Sequence, residues 1–324
     1  MLPDFEYVRA TSVESAIRQL SAPGARVHAG GTDLLGCLRD GAVGAGKIVS
    51  LTGIAELQGI TPLNDGGLRI GAMTTLAQVA AHPAVVERYA VLAEAAHSVS
   101  TPQLRNQGTI GGNLCQRPRC WYFRGDFNCM RKGGDMCFAA AGENDYHCLF
   151  ASSGCVMVHP SDTASALVAL GAHVRIAGPN GARVVPLDSF FVLPEKDVLH
   201  ENVLKQDEIL TDIILPAAPA GLRSKYRKAR VRQSWDFALA GVAVALVPAK
   251  DRVTSARIVL SGVAPIPWRA EKAEKELAGH PLSAEVISRT AKACVADAQP
   301  LERNAYKVDL VRGIVEETLG KLRV

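Results

Sequence analysis

The chain has 324 residues, enough for two modest domains or for one large domain carrying an insertion. Its 48% hydrophobic and 21% charged residues are the proportions of a globular protein with a substantial core. A net charge of +4, spread along the sequence, gives no support to nucleic-acid binding, and no apolar run approaches the length that spans a bilayer.

The first residues, "MLPDFEYVRATSVESAI", lack the basic start and continuous apolar stretch of a secretory signal, so a cytoplasmic location is expected. Export as a folded complex on a partner's twin-arginine signal stays open. Thr11 and Glu14 have capping-box spacing ahead of Val13, Ala16, Ile17 and Leu20, which predicts a helix stopped by Pro23-Gly24. "ARVHAGGTDLL" and "KIVSLTGI" read as strands with glycine-rich ends, and "LRIGAMTTLAQVAAH" as a strand, a turn and a short helix. Pro83 opens another helix using Val86, Ala90, Leu92 and Ala93, followed by the polar stretch "HSVSTPQLRNQGTIGGNL".

Between Cys115 and Cys155 no helix or strand period survives. Beyond it, "DTASALVALGAHVRIAG" predicts a helix then a strand, and "DEILTDIILP" another strand. "PAAPAG" at 216–221 reads as a domain boundary. Strands at "GVAVALVP" and "SARIVLSGVA" follow, then two amphipathic helices, one from Ser283 and one using Val308, Val311, Val315, Leu319 and Leu322. Strands and helices mixed without regular βαβ alternation predict an α+β architecture.

Two glycine loops carry the first functional signal. "AGGTDLLG" (29–36) follows a strand, and "RNQGTIGGNL" (105–114) repeats its chemistry with Gly108, Gly111, Gly112, Thr109 and Asn113. Adjacent glycines let the backbone approach a ligand and turn N–H groups toward an anion such as pyrophosphate. Either loop alone reads equally as a tight turn. Neither fits the spaced dinucleotide fingerprint or the phosphate loop, so a nucleotide cofactor here requires a fold other than the doubly wound one.

Taken in order, "AGGTDLL", "LRIGAMTTLAQV", "QLRNQGTIGGNL" and "HPSDTASALVALGA" resemble the FAD-binding subunit of the xanthine dehydrogenase/molybdenum hydroxylase family, over essentially the whole chain. The resemblance implies a two-part FAD-binding domain of the vanillyl-alcohol-oxidase (PCMH) type over residues 1–220, then a small α+β C-terminal domain of the CO dehydrogenase flavoprotein type over 221–324. It implies that Ala29, Gly30, Gly31, Thr32, Asp33 and Leu34 form one contact to FAD and Thr109, Gly112 and Asn113 the second. Asp162 in "HPSD" is placed near the ribityl or flavin end, and Lys228 in "YRKAR" approaches from the C-terminal domain. The bland readings are a helix N-cap for Asp162 and a solvated strand cation for Lys228.

Six of the eight cysteines fall within 115–155, where ordinary members of this family pass directly from the second glycine loop to the "SD" helix. A disulfide framework suits small secreted domains, and paired C-x₂₋₄-C zinc spacing is absent. The inserted segment resembles the flavin subunits that carry an extra [4Fe–4S] cluster, whose thiolates can come from widely spaced loop positions. Cys120, Cys129 and Cys137 match its first three ligands and Cys155 the fourth, with Cys148 as rival. Cys115 is expected behind the flavin loop, and Cys37 and Cys294 as small buried hydrophobes. Arg117, Arg119, Arg124, Arg131 and Lys132 would offset cluster charge, and Gly133 and Gly134 would offer N–H groups to its sulfurs.

The function this implies is electron transfer. FAD and the [4Fe–4S] cluster pass electrons between a large molybdenum-cofactor subunit with a small two-[2Fe–2S] subunit, in a heterotrimer or a dimer of heterotrimers, and an external acceptor or donor. Oxidation of aldehydes or N-heterocycles is expected; the alternative is a 4-hydroxybenzoyl-CoA reductase-type subunit running electrons from ferredoxin toward molybdenum. No nucleophile–base pair is expected in this chain. A self-sufficient flavin oxidase or a zinc-stabilised scaffold are the rival classes.

Overall fold

A computed structural model describes residues 1–323, and three sheets organise it. Strands β1 (Glu6–Arg9), β2 (Ala25–His28) and β3 (Lys47–Ser50) form a parallel sheet of order β1-β3-β2. The central strand buries Ile48, Val49 and Ser50, as a strand covered on both faces must. The helix Val13–Leu20 buries Ala16 and Leu20 beside it. Its cap is Ser12, whose hydroxyl accepts from the Ser15 amide at 3.1 Å, so the spacing that favoured Thr11 is off by one residue. Strand β1 escapes sequence reading because three of its four residues are exposed and no apolar period marks it.

The second sheet is antiparallel, order β4-β5-β8-β6-β7, from β4 (Ile60–Pro62), β5 (Leu68–Gly71), β6 (His173–Gly178), β7 (Gly181–Pro186) and β8 (Ile209–Leu215). Its core takes in the helices Leu76–Ala81, Ala90–Ser98 and Asp162–Ala169. The helix expected to run on from Pro83 is two, Pro83–Arg88 and Ala90–Ser98, broken at Tyr89. Tyr89 is buried and its hydroxyl donates to Pro216 O at 2.7 Å, a fixed anchor that turns the chain and leaves Val86 exposed.

The third sheet, order β12-β11-β10-β9, is antiparallel and built from β9 (Arg223–Ala229), β10 (Ala240–Ala249), β11 (Arg252–Ser261) and β12 (Trp268–Arg269). The helices Glu271–Leu277, Ala284–Cys294 and Tyr306–Lys321 share a separate core with it. The first of these went unpredicted because "EKAEKEL" offers little apolar stripe.

The helix Asp162–Ala169 is wedged between the second and third sheets. All eight of its residues are buried, and Ser165 Oγ donates to Leu260 O at 3.3 Å in β11. Segment 115–155 holds only single turns (Trp121–Arg124, Met130–Lys132, Phe138–Ala141), in line with its missing period. Leu149 N donates to Val263 O at 2.7 Å and Gln299 N to Leu149 O at 2.7 Å, which fastens the segment to the C-terminal layer. No helix among the described residues is long and apolar enough to cross a membrane.

Candidate functional site

The two glycine loops meet backbone to backbone. A Cβ on Gly30 would be driven into the carbonyl oxygen of Gln107, and Gly31 has φ +73°, a left-handed conformation that side chains resist. On the other side, Gly111 lies so close to Ala72 that a Cβ would stand 2.8 Å from its methyl group. Thr109 caps the turn Ile110–Leu114 by accepting from Gly112 N at 3.1 Å, and Ile110 N and Gly111 N donate to Thr74 O and Ala72 O at 2.9 Å each. Gly30 and Gly111 are thus required by close approach to Gln107 and Ala72 of the protein itself, where the loop sequences predict close approach to a ligand.

Together the loops line a cavity of about 700 Å³ that includes Ala29, Gly30, Gly31, Thr32, Asp33, Leu34, Thr109 and Gly112. A second cavity of about 180 Å³ shares Thr32, Asp33, Thr109 and Gly112 and continues to Asn113, Asp162 and Lys228. All the residues expected to contact FAD therefore line one of two cavities that meet at the loops. Two chambers that meet at Thr32, Asp33, Thr109 and Gly112 of the paired glycine loops suit a long ligand with a diphosphate at its middle, so the residues present fit FAD.

At the far end Asp162 is fully engaged. Lys228 Nζ donates to its Oδ2 at 2.7 Å and Tyr226 Oη to its Oδ1 at 2.6 Å. Burial, then the carboxylate, pushes the Tyr226 hydroxyl well above its ordinary range, so it stays a donor. Neither bland reading fits: the helix cap is Ser161, which accepts from Ala164 N at 3.0 Å, and Lys228 is buried in an ion pair. Asn113 Oδ1 accepts from Ser161 Oγ and Thr163 Oγ1, each at 2.6 Å, joining the second loop to this helix.

Cys120, Cys129, Cys137 and Cys155 line one small cavity with Arg131, Phe123, Phe138 and Met157. Cys137 and Cys155 act on each other, which lowers the Cys137 thiol and pushes Cys155 upward. Cys148 lies outside this cavity, wholly buried beside Ala139 and Val156, and burial raises it to about 12. Cys115 lines the larger glycine-loop cavity, and Cys37 and Cys294 are buried in helices. Among the described residues no group of three or more His, Cys, Asp or Glu side chains is arranged to hold a single metal ion. The cavity they line is about 10 Å³, so seating anything larger than a water requires its walls to move outward.

The basic residues divide in a way that the sequence did not indicate. Asp33 accepts from Arg119 Nη1 at 2.8 Å, from Arg124 Nη2 at 2.7 Å and from the Arg117 amide at 2.7 Å, which ties the first glycine loop to the cysteine segment. Lys132 Nζ donates to Gly125 O at 2.7 Å. Arg131 Nη1 pairs with Glu201 Oε1 at 2.5 Å, and Arg117 Nε stands 3.0 Å from Glu201 Oε2. Arg131 is nevertheless distinctive: it is buried against the thiol cavity, and its Nε and Nη2 find no partner. The expectation for Gly133 and Gly134 is corrected, because their amides donate to Met130 O at 3.2 Å and Cys129 O at 3.1 Å within a tight turn.

Sequence reasoning missed Glu201, Tyr226, Ser161, His147 and Lys307. The first three act through tertiary partners far away in the chain. His147 Nε2 lies 3.3 Å from Cys120 Sγ, and burial lowers the ring to about 4. Lys307 is fully buried and donates to the carbonyls of Tyr146, His147 and Gly262 at 2.8–3.0 Å.

Residues 3–218 match the family described as the FAD binding domain in molybdopterin dehydrogenase, and 224–322 the CO dehydrogenase flavoprotein C-terminal domain. The chain belongs to this family and is the FAD-binding, electron-carrying subunit of a xanthine dehydrogenase-family molybdoenzyme. It is 36% identical over 325 residues to the aldehyde oxidoreductase FAD-binding subunit PaoB of Escherichia coli (strain K12), covering 98% of each chain. With the carbon monoxide dehydrogenase medium chain of Hydrogenophaga pseudoflava it shares 31% identity, over 93% of this chain and 89% of that one. The solved Hydrogenophaga pseudoflava carbon monoxide dehydrogenase lacking the Mo-pyranopterin moiety matches with a TM-score of 0.80 at 30% identity, over 99% of this chain and 97% of the other.

Proposed function

We propose that this chain carries both FAD and a [4Fe–4S] cluster and relays electrons in an aldehyde-oxidising complex with a molybdenum-cofactor subunit and a small two-[2Fe–2S] subunit. The aldehyde oxidoreductase subunit, matched end to end, favours aldehydes as substrates and electron flow outward to an external acceptor. When bound, the flavin supplies a centre stable in one- and two-electron states. This chain's residues divide the work: the loops 29–34 and 109–113 take the diphosphate region, and Asp162 and Lys228 the flavin end. Residues 1–220 form the FAD-binding part and 221–324 the C-terminal part.

One observation carries the cluster reading. Four thiols spread over residues 120–155 line a single cavity into which a buried guanidinium brings unpaired donors. A buried cation with unmet N–H groups is costly unless an anionic acceptor faces it, and an iron–sulfur cluster held by four thiolates is such an acceptor. A zinc site would need the same thiols around one ion, an arrangement they do not have.

Iron per flavin in the purified complex tests the assignment. Cys155→Ser is expected to lose the cluster's iron and its electron paramagnetic resonance signal, and Cys148→Ser to keep both. The reverse result, or a wild-type complex whose iron is fully accounted for by its [2Fe–2S] centres, overturns it.

A further inference from the structure

A chamber of about 270 Å³ adjoins the smaller glycine-loop cavity and shares Arg119, Pro160, Asp162, Asp236 and Phe237 with it. Its other walls include the rings of Trp121, Tyr146 and His159, with Val158, Ala238 and Leu239 between them. Both parts of the chain therefore build it. Its volume lies near the lower bound of small-molecule sites, roughly 300 Å³, which is room for one or two fused rings.

The polar groups of these walls fall into two sets. The acceptors are engaged. Asp162 takes Lys228 and Tyr226, and Asp236 accepts from the amides of Arg232 and Phe237 at 3.0 Å each. Ser261 Oγ lies 2.9 Å from Tyr226 Oη, and Gly262 O accepts from Lys307 Nζ at 2.8 Å. The groups without a partner are Arg119 Nε, His147 Nδ1 and His159 Nε2. Arg119 Nε can only donate. His159 is 3% exposed and its Nδ1 accepts from the Ser161 amide at 3.4 Å, so its proton sits on Nε2, a second donor without an acceptor. A buried N–H left unpaired is costly, and a ligand oxygen that accepts from it removes that cost. Arg119 already has Asp33 as its counter-ion, so no lone cation asks for an anionic ligand. The chamber suits a flat, uncharged molecule whose oxygens only accept.

We propose that this chamber binds a quinone as the external electron acceptor, its ring against the aromatic walls and its carbonyl oxygens as acceptors for the unmet donors. The inference rests on the reading of this chain as the FAD-binding electron carrier. The quinone takes up two electrons, by which the carrier is oxidised, and two protons from water. Its two carbonyls become hydroxyls, and no bond on this chain forms or breaks.

The test uses the assembled complex and duroquinone, whose fully substituted ring does not add to thiols. Ala238→Phe and Val158→Phe each fill the chamber, and neither position lines the glycine-loop cavities. Calorimetric titration of the oxidised wild-type complex is expected to show binding, and each variant to weaken it about tenfold or more with flavin content unchanged. Reoxidation of the substrate-reduced flavin by duroquinone should slow in parallel, while reoxidation by ferricyanide keeps its wild-type rate. A flavin-replete wild-type complex that binds no duroquinone overturns the proposal, and so does wild-type affinity in either variant. Loss of flavin from a variant with a wild-type thermal midpoint overturns it too, since the chamber would then belong to the cofactor. Where one variant does not assemble the other decides. Where neither does, photolabelling of the wild-type complex with an azidoquinone decides: label within 158–160 or 236–239 supports the site, and label elsewhere overturns it. A wild-type complex without flavin is a different result and strikes the FAD reading itself.

Discussion

Lys228 in β9 donates to Asp162 at 2.7 Å, across the seam between the C-terminal sheet and a helix of the flavin-binding part. Both side chains are 4% exposed. Tyr226, two residues earlier and on the same face of the strand, occupies the other carboxylate oxygen. The C-terminal layer thus fixes Asp162, at the far end of the smaller cavity, through one alternating pair of strand residues.

Breaking this pair from one side is expected to be costly, because it strands a buried charge. Lys228→Met should destabilise the fold by about 3–5 kcal/mol. The flavin-to-protein ratio should fall with it. The double variant with Asp162→Asn should lose less than the two single losses combined, since no charge is then left unpaired. Thermal midpoints and flavin absorbance of the four proteins check this.

Two glycine-to-alanine changes should move stability in opposite directions. Gly30→Ala forces a methyl group into Gln107 O, where both partners are backbone and neither can yield, so flavin should be lost from the purified chain. Gly313 lies within the helix Tyr306–Lys321 and nothing stands within 4 Å of its missing Cβ. Gly313→Ala should therefore stabilise by up to about 1 kcal/mol through helix propensity. Denaturant midpoints and flavin occupancy separate the two outcomes.

What the sequence made legible follows from how local each signal is. The glycine loops could be read because close approach leaves glycines at fixed places, the strand β10 because it is a continuous apolar run, and β8 and β11 because each ends in a buried apolar stretch. The cysteine segment announced itself by composition and by its lack of period. Glu201 gave no signal, because its partners Arg117 and Arg131 lie 84 and 70 residues away in the chain. The loop sequence places Asp33 at the cofactor, and Asp33 lines the cavity, but nothing local shows that its carboxylate pairs with Arg119 and Arg124. A polar residue's role is decided by which charges the fold brings beside it, and period and composition do not encode that.

Acid should weaken the fold through His159. Its ring is 3% exposed, and burial lowers it from 6.5 to about 3. Between these values the unfolded chain binds a proton that the folded chain does not. Stability is therefore fully present above pH 6.5 and declines as pH falls toward 3, by up to about 1.4 kcal/mol per pH unit. His159→Gln should flatten the dependence of the urea midpoint on pH across this window. An unchanged slope would mean that other groups govern acid unfolding.

Glu201 separates structural from electrostatic roles in the cysteine segment. It is buried between the guanidinium groups of Arg117 and Arg131, and burial raises its carboxyl even against those two cations. Glu201→Gln leaves Arg131 as a buried cation without its counter-ion, which should cost about 3–5 kcal/mol. Replacing both Glu201 and Arg131 with Met removes the buried pair instead of breaking it, and stability should largely return. Iron content should not return with it if the guanidinium's free donors hold an anionic cluster, because the refolded cavity then lacks its cation. Recovery of both stability and iron would instead make Arg131 a packing residue only. Thermal midpoints and iron per flavin, measured on the single and double variants, distinguish these results.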